Sequence, residues 1–403
     1  MTRTRGYLVI LHRYVGLTMA GFLVIAGLTG SALAFRSELD SWLNPRLFHV
    51  EQAGPVLSPS RIVAQVECAH LNVEILTLAL PSDRNASAIA YVGPKEGAAA
   101  LDYDQLFVEP ATGAILGHRM DGALQFDRAH LMPFLYRFHY TLTMPGRWGR
   151  WLLGGVALAW MLDCFVGFGL TLPRGRPFWQ KWRPIWTIKR SAGLQRLNLD
   201  LHRAFGLWLW AVLFLLALTS VSLNLNRELF RPALTAFLPT TQRIWDQLLP
   251  ATPAMTLDWD AAATRAQTEA ERRGWDSPVS LIHAARAHGF YMVSFGRPHQ
   301  AGFGASSIFV SGKDGRILSV EEAGGGKSGD VVSGLMLPIH SGQVAGLPGR
   351  ILICITGLVV AMLSITGVYV WWKKMNARKR SKRGAVSQPQ SSLRRIESTN
   401  AAE

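Results

Sequence analysis

Four apolar stretches of this chain, roughly 8–35, 149–172, 204–225 and 350–372, constrain its fold more than any other feature. Each is long enough to cross a hydrocarbon core of ~30 Å, which takes about 20 helical residues. Backbone inside lipid must satisfy its own hydrogen bonds, so runs of this length and composition predict helices. Two long segments, 36–137 and 227–338, then lie outside the bilayer, both on the same side. The fold class expected is a membrane all-α core of four transmembrane helices carrying two small α+β modules. The first and third runs open alike, on His12-Arg-Tyr-Val-Gly-Leu17 and His202-Arg-Ala-Phe-Gly-Leu207. The chain therefore reads as an internal duplication of helix, module, helix. Its boundaries fall at 1–35, 36–137, 138–172, 173–201, 202–226, 227–338, 339–372 and 373–403.

A net charge of +15 over 403 residues raises nucleic acid as a partner, but its distribution argues against this. Segment 36–137 holds 8 Lys/Arg against 12 Asp/Glu, and segment 227–338 holds 11 against 11. The excess sits at Arg3 and Arg5, in the loop 173–201 and after Trp372. Four crossings put these three segments on one side, and basic loops mark that side as the cytoplasm. They also suit anionic lipid. Both modules then lie outside. Trp179, Trp182 and Trp186 in the basic loop are expected at headgroup level, and the polar tail 373–403 is expected to be disordered.

The cysteines are Cys68, Cys164 and Cys354, and only Cys68 falls in a module, so no disulfide framework forms there. No C-x-x-C-H occurs, which excludes covalent c-type haem attachment. Arg3, Arg5 and Ala32-Leu-Ala34 imitate a signal peptide. The first run is too long for that, and its likeness to the third marks a retained helix.

Each module reads the same way. Ser58–Leu71 has helical spacing, followed by strand-like Glu74–Leu80, Ser87–Val92 and Gln105–Val108, a turn at Pro110–Gly113 and a strand at Ala114–Leu116. In the second module Trp259–Arg273 is helix-like, Val279–His283, Phe290–Phe295, Ser306–Val310 and Arg316–Val320 are strand-like, and Lys313-Asp-Gly315 is the turn.

The candidate chemistry lies in four histidines. His12 and His202 open the two outward-running helices, and His139 and His340 stand just before the two that return. Topology pairs His12 with His202 on the cytoplasmic face and His139 with His340 on the outer face. Two imidazoles from separate helices are the ligand set of a six-coordinate b-type haem. Any one of these histidines alone is more simply an interfacial residue bonded to backbone. Four that obey both repeat and topology are not. Zinc is disfavoured, since no Cys, Asp or Glu accompanies either pair. Arg13 and Arg203 are candidates for haem propionates, as are Arg147, Arg150 and Arg350, with lipid phosphate an equal alternative. Asp163 in the second run is expected to pair with Arg13 or Arg203, or to carry protons. Glycines on the four runs suit either close helix packing or room for a flat macrocycle. From His12 to Phe35 is about 36 Å of helix, so electron transfer calls for haems leaning inward or aromatic residues such as Trp160, Trp208 and Trp210 between them. His49, His118, His130, His283, His288 and His299 are read as surface residues. No Gly-x-Gly-x-x-Gly follows a strand, and Gly326-Lys-Ser328 lacks the upstream glycine of a P-loop, so the electron donor is another molecule.

These residues resemble the PepSY-associated transmembrane family, whose members include ferric-siderophore reductases of the FoxB type. The carriers are His12-Arg-x-x-Gly-Leu, Phe138-His139-Tyr with Gly149-Arg150, Asp200-Leu-His202-Arg, Ile339-His340-Ser-Gly342 with Gly349-Arg350, and the PepSY-like stretches Phe107–Leu116 and Phe309–Leu318. The resemblance implies an inner-membrane oxidoreductase holding two b-type haems and passing electrons outward to a periplasmic ferric siderophore. The second half departs from the first in its Gly-Arg spacing after the histidine, nine and ten residues against ten and eleven. A PepSY sensor or peptide-binding membrane protein without redox activity is the alternative, and histidines at matched depths weigh against it. A carrier of iron complexes is a poorer fit, because unbroken helices offer no intramembrane site.

Overall fold

The computed structural model describes residues 3–386, apart from 52–53, 82, 126, 190–192, 248–254 and 298–300. His299 and Arg190 lie outside the described residues. In chain order the elements are α1 (Arg3–Leu33), α2 (Arg36–Leu43), α3 (Pro45–Phe48), α4 (Pro59–Ala69), β1 (Val73–Ala79), β2 (Ala88–Pro94), β3 (Gln105–Val108), β4 (Ile115–Arg119), α5 (Arg128–Thr141), α6 (Trp148–Thr171) and α7 (Phe178–Trp182). Then come α8 (Leu194–Trp208), α9 (Trp210–Asn224), α10 (Arg231–Phe237), α11 (Trp259–Arg272), β5 (Val279–Ala285), β6 (Phe290–Phe295), β7 (Ser306–Ser311), β8 (Ile317–Glu321), α12 (Ser328–Ser341) and α13 (Gly346–Val386). Two compact units form: Met1–Leu28 with Val156–Ala217 and Thr356–Glu403, and Thr29–Gly155 with Leu218–Ile355.

Helices α1 and α6, and the segment Gln343–Lys379, are long and apolar enough to cross a membrane. Their lipid-type surface is visible in exposed Ile10, Leu11 and Leu28 on α1, Leu162 and Phe165 on α6, and Ile355, Leu358 and Ile365 on α13. The third apolar run differs from the single straight helix expected over 202–226. It is α8 and α9, which reach spanning length only together and are bent by 70°. The bend falls at Leu209 between two anchored indoles: Trp208 Nε1 donates to the Trp186 carbonyl (3.2 Å) and Trp210 Nε1 to the Cys164 carbonyl (2.9 Å). The helical ladder continues through it, with Leu209 N–H bonded to Phe205 O and Leu213 N–H to Leu209 O. The tail also differs from expectation. Helix α13 runs on to Val386 where disorder was expected from residue 373. A helix already nucleated in the span extends without a nucleation penalty, and Lys, Arg and Ala extend it readily.

The second unit holds the strands. All eight form one antiparallel sheet in the order β4-β3-β2-β1-β5-β6-β7-β8. The two modules are thus not separate, as segment boundaries alone suggest. They join edge to edge through β1 and β5, with Thr77 opposite His283 and Leu78 opposite Ile282. That pairing covers two strand edges that would otherwise stay open. A helix followed by four strands occurs twice, as α4 with β1–β4 and α11 with β5–β8. Ile62, Val63 and Val66 of α4 and Trp259, Ala262, Ala266 and Ala270 of α11 pack with Ile75, Leu78, Ile282 and Ile308. The i, i+4 alanines are small enough to bring α11 close to the sheet.

The two helices cap each other. Asp260 accepts from the Ser60 backbone N–H (2.8 Å) and the Ser58 hydroxyl (2.7 Å), and Ser60 Oγ accepts from the Asp260 N–H (3.0 Å). The turn at Pro110–Gly113 requires glycine: Gly113 has φ +74°, and a Cβ there would overlap Gln65. On the opposite face of the sheet Arg119 and Asp40 form a fully buried ion pair at 2.9 Å. Arg119 also donates to Gln105 and the Ala129 carbonyl, and Asn44 bridges Asp40 and the Arg128 carbonyl. This network fixes the start of α5.

Candidate functional site

The structure brings the four histidines together as two pairs. In the first unit the rings of His12 on α1 and His202 on α8 have centroids 6.2 Å apart. In the second, His139 on α5 and His340 on α12 also stand 6.2 Å apart. A metal–imidazole bond is about 2.0 Å. With the ring centre ~1.1 Å behind the ligating nitrogen, two imidazoles facing each other across one metal put their centres about 6.2 Å apart.

Every ring has its Nδ1 engaged. His12 Nδ1 lies 2.9 Å from Asp163 Oδ2, and His202 Nδ1 3.0 Å from the Leu363 carbonyl. His139 Nδ1 meets the Thr29 hydroxyl at 2.9 Å, and His340 Nδ1 meets that of Thr219 at 3.0 Å. A carbonyl only accepts, so the proton of neutral His202 is on Nδ1 and its Nε2 is a free lone pair. The Asp163 carboxylate also accepts and favours the same tautomer at His12, while the Thr29 and Thr219 hydroxyls, which both donate and accept, hold the His139 and His340 rings in place. A histidine whose second nitrogen is held this way has the arrangement that orients a metal ligand.

The surrounding residues leave space. Gly16 and Gly206 each stand one turn after a histidine, at His12 and His202, and a Cβ at either would meet nothing within 4 Å. Other glycines support the rings. A Cβ on Gly167 would lie 3.5 Å from His12 Cε1, on Gly367 3.3 Å from His202 Cε1, and on Gly30 3.1 Å from His139 Cε1. Gly27 serves packing instead, since its Cβ would sit 2.5 Å from the Gly357 carbonyl. The glycines therefore divide between close helix packing, contact with a histidine ring and open surroundings. Among the described residues no group of three His, Cys, Asp or Glu is placed to hold a metal ion, so two imidazoles per site are the whole protein donor set. That set suits a metal whose remaining positions are filled by a planar macrocycle.

His139 and His340 were expected to stand directly before the returning spans. They occupy helices of their own instead. Helix α5 ends at Leu142 and Thr143, with φ +51° and +57°, and α12 ends at Gly342, with φ +77°. After each end the chain folds back tightly. A Cβ on Gly149 would lie 1.8 Å from the Thr141 carbonyl, and one on Gly349 would lie 2.0 Å from that of Gly342. The glycines of both Gly-Arg motifs thus dock each histidine helix on the span that follows it.

The arginines divide. Arg350 is buried, donating to the Ala34 carbonyl (2.8 Å) and to Glu38 (2.6 Å), so it is a structural tie. Arg147 pairs with Glu228 at 2.7 Å, and Arg150 lies over the Tyr140 ring. Arg203 pairs with fully buried Asp200 at 2.5 Å, while its Nε is buried with no hydrogen-bond partner among the described residues. Arg13 is half-buried and forms no ion pair among the described residues. Asp163 departs from expectation: its partner is His12, not Arg13 or Arg203. The partners Thr29, Thr219 and Leu363 escaped sequence reading. The one available signal is that Thr29 follows His12, and Thr219 follows His202, by the same seventeen residues.

Of the other described histidines, His49 and His118 are exposed, His70, His283 and His288 are half-buried, and His130 is buried. His49 bonds Ser41, His130 is buried against Asp127, and His283 bonds Thr77.

A family model for the PepSY-associated TM region matches residues 9–374. The chain belongs to this family. Among curated proteins no match was found. The PepSY-associated TM match contains all four histidines, their Nδ1 partners and the whole eight-stranded sheet, so it is a membrane protein by family and by its apolar helices.

Proposed function

We propose that this PepSY-associated membrane protein is a di-haem b oxidoreductase of the bacterial inner membrane. It carries electrons from the cytoplasmic side to the periplasm, reduces ferric-siderophore iron there and releases Fe(II). The reading includes four spans, with α8 and α9 counted as one, an internal duplication, cytoplasmic termini and periplasmic modules. The observation that carries it is the double pairing: two imidazole pairs at 6.2 Å, each ring held through its Nδ1.

Each haem, when bound, would take up and give back one electron. His12 with His202 would hold one such group, and His139 with His340 the other. The unpartnered Nε of Arg203, and Arg13, would meet propionate carboxylates. The absence of side chains at Gly16 and Gly206, one turn after His12 and His202, would leave room for a flat ring. The acceptor is a ferric ion held by hard oxygen donors. One electron converts it to Fe(II), which such donors hold more weakly. The donor is a cytoplasmic or membrane reductant, and lipid surrounds the spans.

The bend at Leu209 raises the carrier reading again. Two ladder bonds cross it, and no charged residue occurs from Ala204 to Asn226 to hold a cargo ion within the span. A sensor with its helices as simple anchors would have no use for four histidines paired ring to ring and each held through Nδ1.

The test is anaerobic. Haem-loaded protein reduced with dithionite, then freed of dithionite, is mixed with a ferric siderophore and a ferrous chelator. Re-oxidation of the haem bands with one ferrous chelate per electron supports the proposal. Haem bands that stay reduced would remove the siderophore as acceptor.

A further inference from the structure

The Nδ1 partners are alike within one pair and unlike within the other. Thr29 and Thr219 occupy equivalent positions and present the same hydroxyl to His139 and His340. On the other pair, Asp163 and Leu363 stand four residues before Gly167 and Gly367, the glycines that touch the His12 and His202 rings. At Leu363 the acceptor is a neutral backbone carbonyl. At Asp163 it is a carboxylate, 2.9 Å from His12 Nδ1 and 8% exposed.

We infer that Asp163 sets a potential difference between the two haem sites, lowering that of His12 and His202 so that electrons run from there to His139 and His340. This rests on the proposal that each pair holds a haem. A carboxylate accepting the Nδ1 proton makes the opposite nitrogen a stronger donor, which favours ferric iron. A negative charge held in a low-dielectric span adds to the effect. Neutral hydroxyls do neither. The second oxygen of Asp163, Oδ1, is buried with no hydrogen-bond partner among the described residues. An ionisable side chain left partly unsatisfied inside a membrane span is expensive to keep and calls for a function. Asp163 touches neither donor nor acceptor. It acts through His12 and is a positioning residue.

The experiment is spectroelectrochemical titration of the haem-loaded, full-length protein. The wild type should titrate in two steps. In Asp163→Asn the lower midpoint should rise towards the upper, with the upper unchanged and two haems still bound. Asp163→Glu should keep the lower midpoint low. His340→Ala, which leaves only the His12 and His202 site intact, should retain the low-potential haem, and this decides the matter even if Asp163→Asn fails to load. A high-potential haem remaining in His340→Ala, or Asp163→Asn with two haems and unshifted midpoints, would overturn the inference and leave the haem proposal standing. A wild-type protein that binds no haem under haem-replete conditions would instead overturn the proposal on which it rests.

Discussion

The distances from three glycines to three histidine rings predict a graded response to one substitution, alanine. An ordinary carbon–carbon contact is about 3.5–4.0 Å. A Cβ at Gly167 would stand 3.5 Å from His12 Cε1, so Gly167→Ala requires no movement. At Gly367 the ring of His202 must yield about 0.2 Å from its 3.3 Å separation. At Gly30 the separation is 3.1 Å, and the His139 ring must retreat by about 0.4 Å or more. That ring is tethered to Thr29 at 2.9 Å, so the retreat stretches the bond past the ~3.2 Å end of the usual range. Against this stands the helix-forming gain of alanine over glycine, at most about 1 kcal/mol. Overpacking of a filled site costs about 1–3 kcal/mol. Gly167→Ala should therefore be neutral or stabilising by up to ~1 kcal/mol, and Gly30→Ala should lose about 1 kcal/mol or more. Gly367→Ala should fall between. The assay is thermal unfolding of detergent-purified protein, with haem-to-protein ratio as the second readout. Gly30→Ala as stable and as fully loaded as Gly167→Ala would refute the reasoning.

Gly27→Leu should destabilise the first unit strongly, since even a Cβ would lie 2.5 Å from the Gly357 carbonyl on α13; the same melt checks it. Asp40→Ala leaves the Arg119 guanidinium buried without its carboxylate and should cost about 3–5 kcal/mol, seen as early loss of sheet signal in circular dichroism. The Arg272 and Arg273 guanidiniums hold Glu269 down at about 2. Its contribution to stability is complete above the unfolded carboxyl's range and is lost as pH falls through about 2, so Arg272→Ala with Arg273→Ala should move the loss to higher pH in an acid-unfolding series.

Much of this architecture was legible in sequence because hydrophobic periodicity reports what each residue must bury. Gln105–Val108 and Phe290–Phe295 came out at their observed bounds, and α11 within one residue. The fusion of both modules into one sheet was not legible. Backbone pairing of β1 with β5 depends on contacts some 200 residues apart, and Thr77 and His283 carry no local sign of them. The bend at Leu209 escaped for a related reason: it has no proline, its one nearby glycine, Gly206, also suits a continuous packed helix, and the carbonyls that its flanking indoles bond lie far off in sequence. The histidine pairing was readable from topology and repeat. Their Nδ1 partners were not, because Thr29 and Thr219 look like ordinary hydroxyls of an apolar helix. Asp163 stood out as a buried charge, and its expected arginine partner was wrong. Charge alone does not say which nearby cation or imidazole the helix face presents to it.

The most direct test of the account is haem stoichiometry across four single substitutions. The wild type should bind two low-spin b-type haems per chain. His12→Ala and His202→Ala should each remove one and the same haem, and His139→Ala and His340→Ala should each remove the other. A colourless wild-type protein from haem-replete cells, or loss of the same haem from His12→Ala and His139→Ala, would contradict the account.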